Sequence, residues 1–475
     1  MRKSTAKNGV GQLELQIAFP QEQANNATGE TQDNGPGASR ASVASRSKTP
    51  KRKWYSLIDK VYALPNLEAA WEKVQANDGA PGIDRVSIQG FEKDASTRLE
   101  RLSADLRAKT YRPQPVRRVF LPKSGGGQRP LGIPTIRDRI VQQALLQVME
   151  PIFEAKFSKL SHGFRPERGC ATALSVVDRA VRHGYKWVVD ADIRTFFDTV
   201  DHDLMIAALN EEIADGSVLK LITQILTAGT AHPSLSDVEP TELGTPQGSP
   251  LSPLLANIYL HRFDVAMAEA GYGLVRYADD FVIFAKSEEA ATSALNLARQ
   301  ILEGELKLAL HPEKTRIVSV EAGFEFLGYH YFADPKTGSI VKEVRQKSVH
   351  RFRESIRRRT PRLITQRPVK AKHVTLARLS KNERVKTIIA GVNAHLHGWH
   401  GYFRQVWSRY PETPFRNFDG FVRQRIRTAI TGRVGPGWWN VQLNNQTLFA
   451  LGLVSLDDLQ RKYRQDQGAT PARKG

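Results

Sequence analysis

The amino-acid sequence predicts an α+β fold: an antiparallel sheet backed by helices, followed by a helical and strongly basic region. Three observations predict it. Residues 187–330 alternate short apolar runs with longer amphipathic stretches, so strands and helices exchange along the chain. Two of those runs close on adjacent aspartates in LVRYADDFVIFA, residues 274–285, which reads as two strands about a two-Asp turn. Beyond residue 343 the apolar spacing becomes helical, and residues 341–475 hold 28 Lys and Arg against 8 Asp and Glu. A chain of 475 residues allows two to four domains at roughly 100–200 residues each.

Taken in order, residues 1–55 are rich in Ser, Asn, Gln, Gly and Ala with few large apolar residues, the composition of a disordered leader. Leu64, Leu67, Trp71 and Val74 mark a helix that ends in the turn-rich NDGAPGID, residues 77–84. FEKDASTRLERLSADLRAKT reads as one further helix, and PVRRVFLPKSGGGQRPLGIP, residues 115–134, as two strands around a glycine turn. IRDRIVQQALLQVMEPIFEAKF is helical, and WVVDADIRTFF begins as an apolar strand. SPLSPLLANIYLHRFDVAMAEA is a helix for which Ser252 is the expected cap and Pro253 the first helical residue. Ser287 caps another, with Glu288 and Glu289 in its first turn, running to about Leu306. LHPEKTRIVSV follows as a strand, and the basic helices break at Thr360-Pro361 and between Tyr410 and Pro414.

The net charge of +20 is unevenly placed: Lys and Arg against Asp and Glu number 10 and 5 in residues 1–60, 31 and 36 in 61–340, and 28 and 8 thereafter. Clusters such as Arg357-Arg358-Arg359 and Arg423, Arg425, Arg427 concentrate positive charge, which favours a nucleic-acid partner over a merely solvated surface. The single cysteine, Cys170, forms no internal disulfide and supplies no paired zinc ligands, so a reducing compartment is expected. The N-terminus lacks an apolar signal core and no 18 apolar residues run together. A cytoplasmic protein with no membrane partner is expected.

The chemistry centres on Tyr277-Ala278-Asp279-Asp280. Adjacent carboxylates at a hairpin tip repel one another, and a divalent cation is the usual compensation. Asp192 ends another apolar strand and meets this turn if the two strands are sheet neighbours. Three such carboxylates suit two Mg2+ ions about 3.5–4 Å apart, the arrangement that activates a 3′-hydroxyl and stabilises a departing pyrophosphate. An Asp-Asp pair alone is more often an exposed turn, and the assignment gains its weight from the rest of the pattern.

That pattern runs in order over about residues 60–432: NDGAPGIDRVS, LPKSGGGQRPLGIPTIRDRIVQQAL, LSHGFRPERGCATAL, WVVDADIRTFFDTVDHDLM, GTPQGSPLSPLLANIYLHRFD, RYADDFVIFA, LHPEKTRIV, FEFLGY and KTIIAGVNAHLHGWHGYFRQVW. Together these blocks resemble the reverse transcriptases encoded within bacterial group II introns. The resemblance implies a right-hand polymerase with fingers at 56–185, a palm at 186–335 holding the YADD hairpin, and a helical thumb or maturase domain X at 343–432. Residues 433–475 are then a short C-terminal extension, a candidate reduced DNA-binding region, with no cysteine-containing HNH nuclease expected. Asp192, Asp279 and Asp280 take the catalytic and metal-binding roles, joined at the metal by the Ile193 backbone, and Asp190 is a supporting group. Lys123 and Arg129 are implied to clamp the incoming triphosphate, Gln247 and Gly248 to line the nucleotide pocket, and Lys314 to lie near the phosphates. Phe197, five residues after Asp192, falls where a bulky ring excludes a ribose 2′-hydroxyl and so selects deoxynucleotides. In the thumb, Trp399, Tyr402 and Phe403 are read as packing residues, and His395, His397 and His400 as no metal site. Arg351, Arg353, Arg357, Arg358, Arg359, Arg423, Arg425 and Arg427 are read as RNA-binding. The implied partners are an RNA template/primer duplex, deoxynucleoside triphosphates, group II intron RNA and target DNA. Two alternatives stay open: a domesticated, CRISPR-linked or otherwise defence-associated reverse transcriptase, and a maturase acting mainly as an RNA-binding splicing factor.

Overall fold

Strands form where β-branched and aromatic residues cluster, and the computed structural model describes residues 53–122, 127–231, 238–362, 376–408, 410–411, 413–432 and 443–467. In chain order the strands are β1 (Val116–Pro122), β2 (Gln128–Ile133), β3 (Trp187–Asp192), β4 (Thr230–Ala231), β5 (Val238–Glu239) and β6 (Gly273–Tyr277). They continue with β7 (Asp280–Ala285), β8 (Arg316–Ser319), β9 (Phe324–Phe326), β10 (Tyr329–Ala333) and β11 (Ile340–Val344). The chain divides into two compact units, one through Ile317 and one from Val318. Residues 1–52 of the leader, Lys123 with most of its glycine turn, and the first ten residues of the C-terminal extension, 433–442, lie outside the described residues. Near the start of the described residues, Trp54 N–H donates to the Glu212 carbonyl and the Trp54 carbonyl accepts from Ala214 N–H.

The first unit holds two four-stranded sheets, ordered β2-β1-β4-β5 and β6-β7-β3-β8. In the second of these, β3 and β6 both run antiparallel to β7. Val188, Val189, Leu274, Val275, Phe281, Val282 and Ile283 are fully buried, so this sheet has apolar residues on both faces and is covered by helices. The helix Ile136–Glu154 is buried along most of its length, capped by Thr135 Oγ1 accepting from Asp138 N–H. Local chemistry moves several expected boundaries. The stretch from Ile88 to Arg107 is two helices, Ile88–Glu92 and Ala95–Arg107, broken at Lys93-Asp94. Ser287 does cap its helix, accepting from Ala290 N–H, but the α-helix stops at Arg299 and a π-helical turn, Gln300–Glu305, completes the run. Ser252 is not a cap: Leu251 holds that position, and the Ser252 hydroxyl, already inside the helix Ser252–Glu269, donates to the Pro246 carbonyl at 2.9 Å.

The second unit packs the three-stranded sheet β11-β10-β9 with the helices Gln346–Arg359, Glu383–Phe403, Arg416–Thr431 and Leu456–Asp466. Its core is aromatic: Trp399 lies 4.7 Å from Phe352, Phe403 and Phe418, ring centre to ring centre. Lys342 is fully buried with its ammonium 4.6 Å from the Tyr329 ring centre and 5.5 Å from that of Trp407, where the ring faces offset part of the cost of burying the charge. One carboxylate gathers the N-terminus of the last described helix. Asp419 accepts from Ser455 Oγ at 2.7 Å, Leu456 N at 2.8 Å and Asp457 N at 3.1 Å, while Ser455 caps the helix itself. Asp419→Ala is expected to destabilise this unit by about 1.5–3 kcal/mol, because three buried donors lose a charged acceptor. Calorimetry should show the lowered midpoint, with Asp419→Asn falling between the two.

Candidate active site

Two strand ends build the site. Antiparallel pairing of β3 with β7 sets Asp192 directly opposite Asp280, and the β6–β7 hairpin carries Asp279 beside them. Asp280 is the first residue of β7, so the turn is Ala278-Asp279 rather than the expected Asp-Asp. Ala278 makes that tight reversal by adopting the left-handed region at φ 58°. Asp192 is held from the next strand connection: its carbonyl accepts from His311 N–H at 2.8 Å, and Lys314 Nζ sits 2.5 Å from its Oδ2. Ile193 is buried and bridges Leu310. Asp190, two residues back on the same face of β3, is engaged by a different cation, its Oδ2 accepting from Arg316 at 3.0 Å.

Burial pushes the Asp279 carboxyl above the usual range, the Asp192 charge adds to this, and Arg129 and Lys314 oppose it. Asp192 and Asp279 thus feel one another, and the two cations feel Asp279. Among the described residues no three Asp, Glu, His or Cys side chains close on a common point. The fit to a hard divalent cation rests on donor chemistry: carboxylate oxygens on facing strand ends, with Asp279 disfavoured as an anion first by burial and further by the Asp192 charge.

Beside the carboxylates, Arg129 Nε donates to Gln247 Oε1 at 2.7 Å, and Gly132 N–H donates to the Gln247 carbonyl at 2.8 Å. Gly248 has φ 114°, and a Cβ there would collide with the Gly132 carbonyl, so glycine is required for the loop to lie against β2. Phe196 enters the core, whereas Phe197 is half-buried and lines a cavity of about 340 Å3 with Gln247, Phe120 and Thr245. Thr245 N–H donates to the Phe197 carbonyl at 2.7 Å, which ties the ring's backbone to the Gln247 loop. The structure therefore gathers Asp192, Asp279, Asp280, Lys314, Arg129, Gln247 and Phe197 in the first unit.

The basic residues of the second unit divide. Arg351, Arg358 and Arg359 are exposed on the helix Gln346–Arg359, and Arg353 and Arg357 lie over the Phe421 ring at 5.7 and 5.6 Å. Arg425 and Arg427 are structural as well as basic: they donate to the carbonyls of Thr360 and Leu443 at 3.1 and 2.7 Å. His400 Nε2 donates to Gln460 Oε1 at 2.8 Å within the packed core.

Beneath the turn lies a network the motif reading passed over. Arg276 is fully buried, pairs with buried Asp264 at 2.5 Å, and donates to Asn257 Oδ1 at 3.1 Å, Ser161 Oγ at 2.8 Å and the Ala278 carbonyl at 2.9 Å. Its signal in the sequence is a lone charge inside the apolar strand LVRY.

Residues 121–331 match the family model described as reverse transcriptase (RNA-dependent DNA polymerase). Protein YkfC of Escherichia coli (strain K12) is 37% identical over 288 residues, 52% of this chain and 75% of that protein. The group II intron-encoded protein LtrA of Lactococcus lactis subsp. cremoris is 40% identical over 198 residues, 41% of this chain and 32% of its own length. Nuclear intron maturase 1, mitochondrial, of Arabidopsis thaliana is 40% identical over 93 residues, 20% of this chain and 13% of that protein. The chain thus spans three quarters of the first relative and about a third or less of the other two.

Proposed function

The chain belongs to the reverse transcriptases and maturases of group II introns, and on that premise we propose that it copies RNA into DNA by two-metal nucleotidyl transfer and also binds intron RNA. The observation that carries the polymerase reading is the pairing of Asp192 with Asp280 beside the Asp279 turn. In this reading Asp192, Asp279, Asp280 and the Ile193 carbonyl hold two Mg2+ ions. Ions held there would supply Lewis-acid activation for the primer 3′-hydroxyl and positive charge for the departing pyrophosphate. The chain's own residues do the rest. Asp279 and Asp192 concentrate negative charge at the reacting end, and Lys314 and Arg129, with Lys123 from the fingers hairpin, offer positive charge to the triphosphate. Gln247 holds the Arg129 guanidinium in one direction by accepting from Nε, and Phe197 presents its ring where a 2′-hydroxyl would lie.

Extension of a DNA primer on an RNA template with Mg2+ tests this, with deoxynucleotides and ribonucleotides supplied separately. Synthesis from deoxynucleotides alone is expected; synthesis from both equally would remove Phe197 from its role. Arg129→Ala is expected to raise the KM for deoxynucleotide about 10- to 100-fold, since a hydrogen bond to a charged group contributes about 1.5–3 kcal/mol. Affinity for the primer–template should be unchanged, as measured by anisotropy.

Assistance to splicing is a second reading, favoured by the exposed arginines of the helix Gln346–Arg359. Charge-neutral replacements of Arg357, Arg358 and Arg359 should weaken intron-RNA binding and flatten its salt dependence without touching primer extension at saturating template. Target DNA would meet the same kind of phosphate-tracking surface.

A further inference from the structure

The segment Leu160–Arg165 is fastened to the hairpin that carries Asp279. Arg276 N–H donates to the Leu160 carbonyl and His162 N–H to the Arg276 carbonyl, both at 2.9 Å. Gly163 lies so close to Ala278 that any Cβ would collide with its backbone nitrogen, and its carbonyl accepts from Asn257 Nδ2 at 2.9 Å. On the other side Arg165 is buried, donates to Glu154 through Nε and NH2 at 2.9 and 2.7 Å, and to the Ser161 carbonyl at 2.7 Å.

Between these two anchors stands Phe164, and packing does not account for it. Its backbone takes the left-handed region at φ 56°, unfavourable for a residue with a bulky side chain, and the residue is 49% exposed. The ring centre lies 6.4 Å from that of Tyr277, the residue immediately before the Ala278-Asp279 turn. The loop thus displays a half-exposed aromatic ring beside Tyr277, at the entry to the Ala278-Asp279 turn. A ring with no hydrogen-bonding group suits a partner whose sequence varies, because every nucleobase has a π face.

We propose that Phe164 is a positioning residue that stacks on the 3′-terminal nucleotide of the primer strand and so sets its hydroxyl against the carboxylates. This rests on the reading of the chain as a template-directed DNA polymerase, in which the primer terminus must lie at Asp192 and Asp279. The aromatic face, not its chemistry, carries the effect, so tryptophan should replace it and alanine should not.

The test is photocross-linking of the full chain to a DNA primer ending in 5-iodouracil, annealed to an RNA template, with the linked peptide located by mass spectrometry. Cross-linking at Phe164 is expected, lost in Phe164→Ala. In steady-state extension Phe164→Ala should raise the KM for primer–template roughly tenfold with the KM for deoxynucleotide unchanged, and Phe164→Trp should restore it. Phe164→Gly, which relieves the positive φ, should melt no lower than wild type and still show the raised KM, separating contact from folding. A cross-link that maps elsewhere, or forms only when the iodouracil is in the template, would overturn the proposal. So would extension by Phe164→Ala at the wild-type KM. Wild-type protein that cross-links at Phe164 yet extends no primer would sink the polymerase reading while leaving this contact standing, and protein that binds no primer–template would sink both.

Discussion

Asp279→Asn is expected to lower template-directed DNA synthesis by at least about a thousandfold while leaving the fold and RNA binding intact. The magnitude follows from the loss of a charged oxygen ligand: metal-borne charge stabilisation supplies several kcal/mol, and about 1.36 kcal/mol corresponds to tenfold in rate. The same substitution should raise stability when no divalent ion is present. Burial is the chief cause that pushes the Asp279 carboxyl above its ordinary range, with Asp192 adding to it. A carboxyl whose folded pKa is raised opposes folding once ionised; the penalty is absent below the ordinary range and complete above the raised value. At pH 7 in EDTA the Asn variant should therefore melt higher than wild type. Added Mg2+ should raise the wild-type midpoint and leave the variant's unmoved, because an ion that binds only the folded state stabilises it. A variant that loses synthesis but melts lower than wild type in EDTA would place Asp279 in the architecture rather than at the reacting end.

That conflict between stability and charge is what made the site legible. Adjacent aspartates inside an apolar hairpin contradict the local pattern, and such contradictions mark function more often than error. The strand β3 and the hairpin were readable as apolar runs, and their pairing follows once both must be buried in one sheet. What escaped is whatever depends on side chains meeting across the fold. Ser252 reads as a cap from its place before Pro253, yet its hydroxyl turns inward to the Pro246 carbonyl, a partner that exists only after the Thr245–Gln247 loop has folded back. Gly248 is expected to line the nucleotide pocket, and the further demand on it, the collision a Cβ would suffer with the Gly132 carbonyl of β2, has no sign in the local sequence. Arg425 and Arg427 read as two more cations in a basic run; which arginines also satisfy buried carbonyls cannot be told from charge alone. Nothing in the local sequence marks Lys342 for burial; its place depends on the convergence of Tyr329, Tyr331 and Trp407.

Arg276→Met is expected to cost about 3–5 kcal/mol, because it leaves the Asp264 carboxylate buried with no cation. Both side chains of the pair are fully buried, so water cannot compensate for the loss. The effect should be read as a fall in the denaturant midpoint and should be larger than that of any exposed arginine. Function separates two roles for this residue. One is to neutralise Asp264; the other is to donate at 2.9 Å to the Ala278 carbonyl and so hold the turn that presents Asp279. Replacing both charges by apolar groups of similar size, Arg276→Met with Asp264→Leu, removes the uncompensated charge and should recover most of the stability, as buried ion pairs commonly allow. It does not restore the donor to Ala278. The double variant should therefore fold nearly as well as wild type and still synthesise DNA poorly, its deficit lying in kcat rather than in the KM for primer–template. If synthesis returns together with stability, the network is a packing device alone. If it does not, the left-handed Ala278 turn is kept in place by a hydrogen bond whose donor is bound, through Asp264, to the helix Ser252–Glu269.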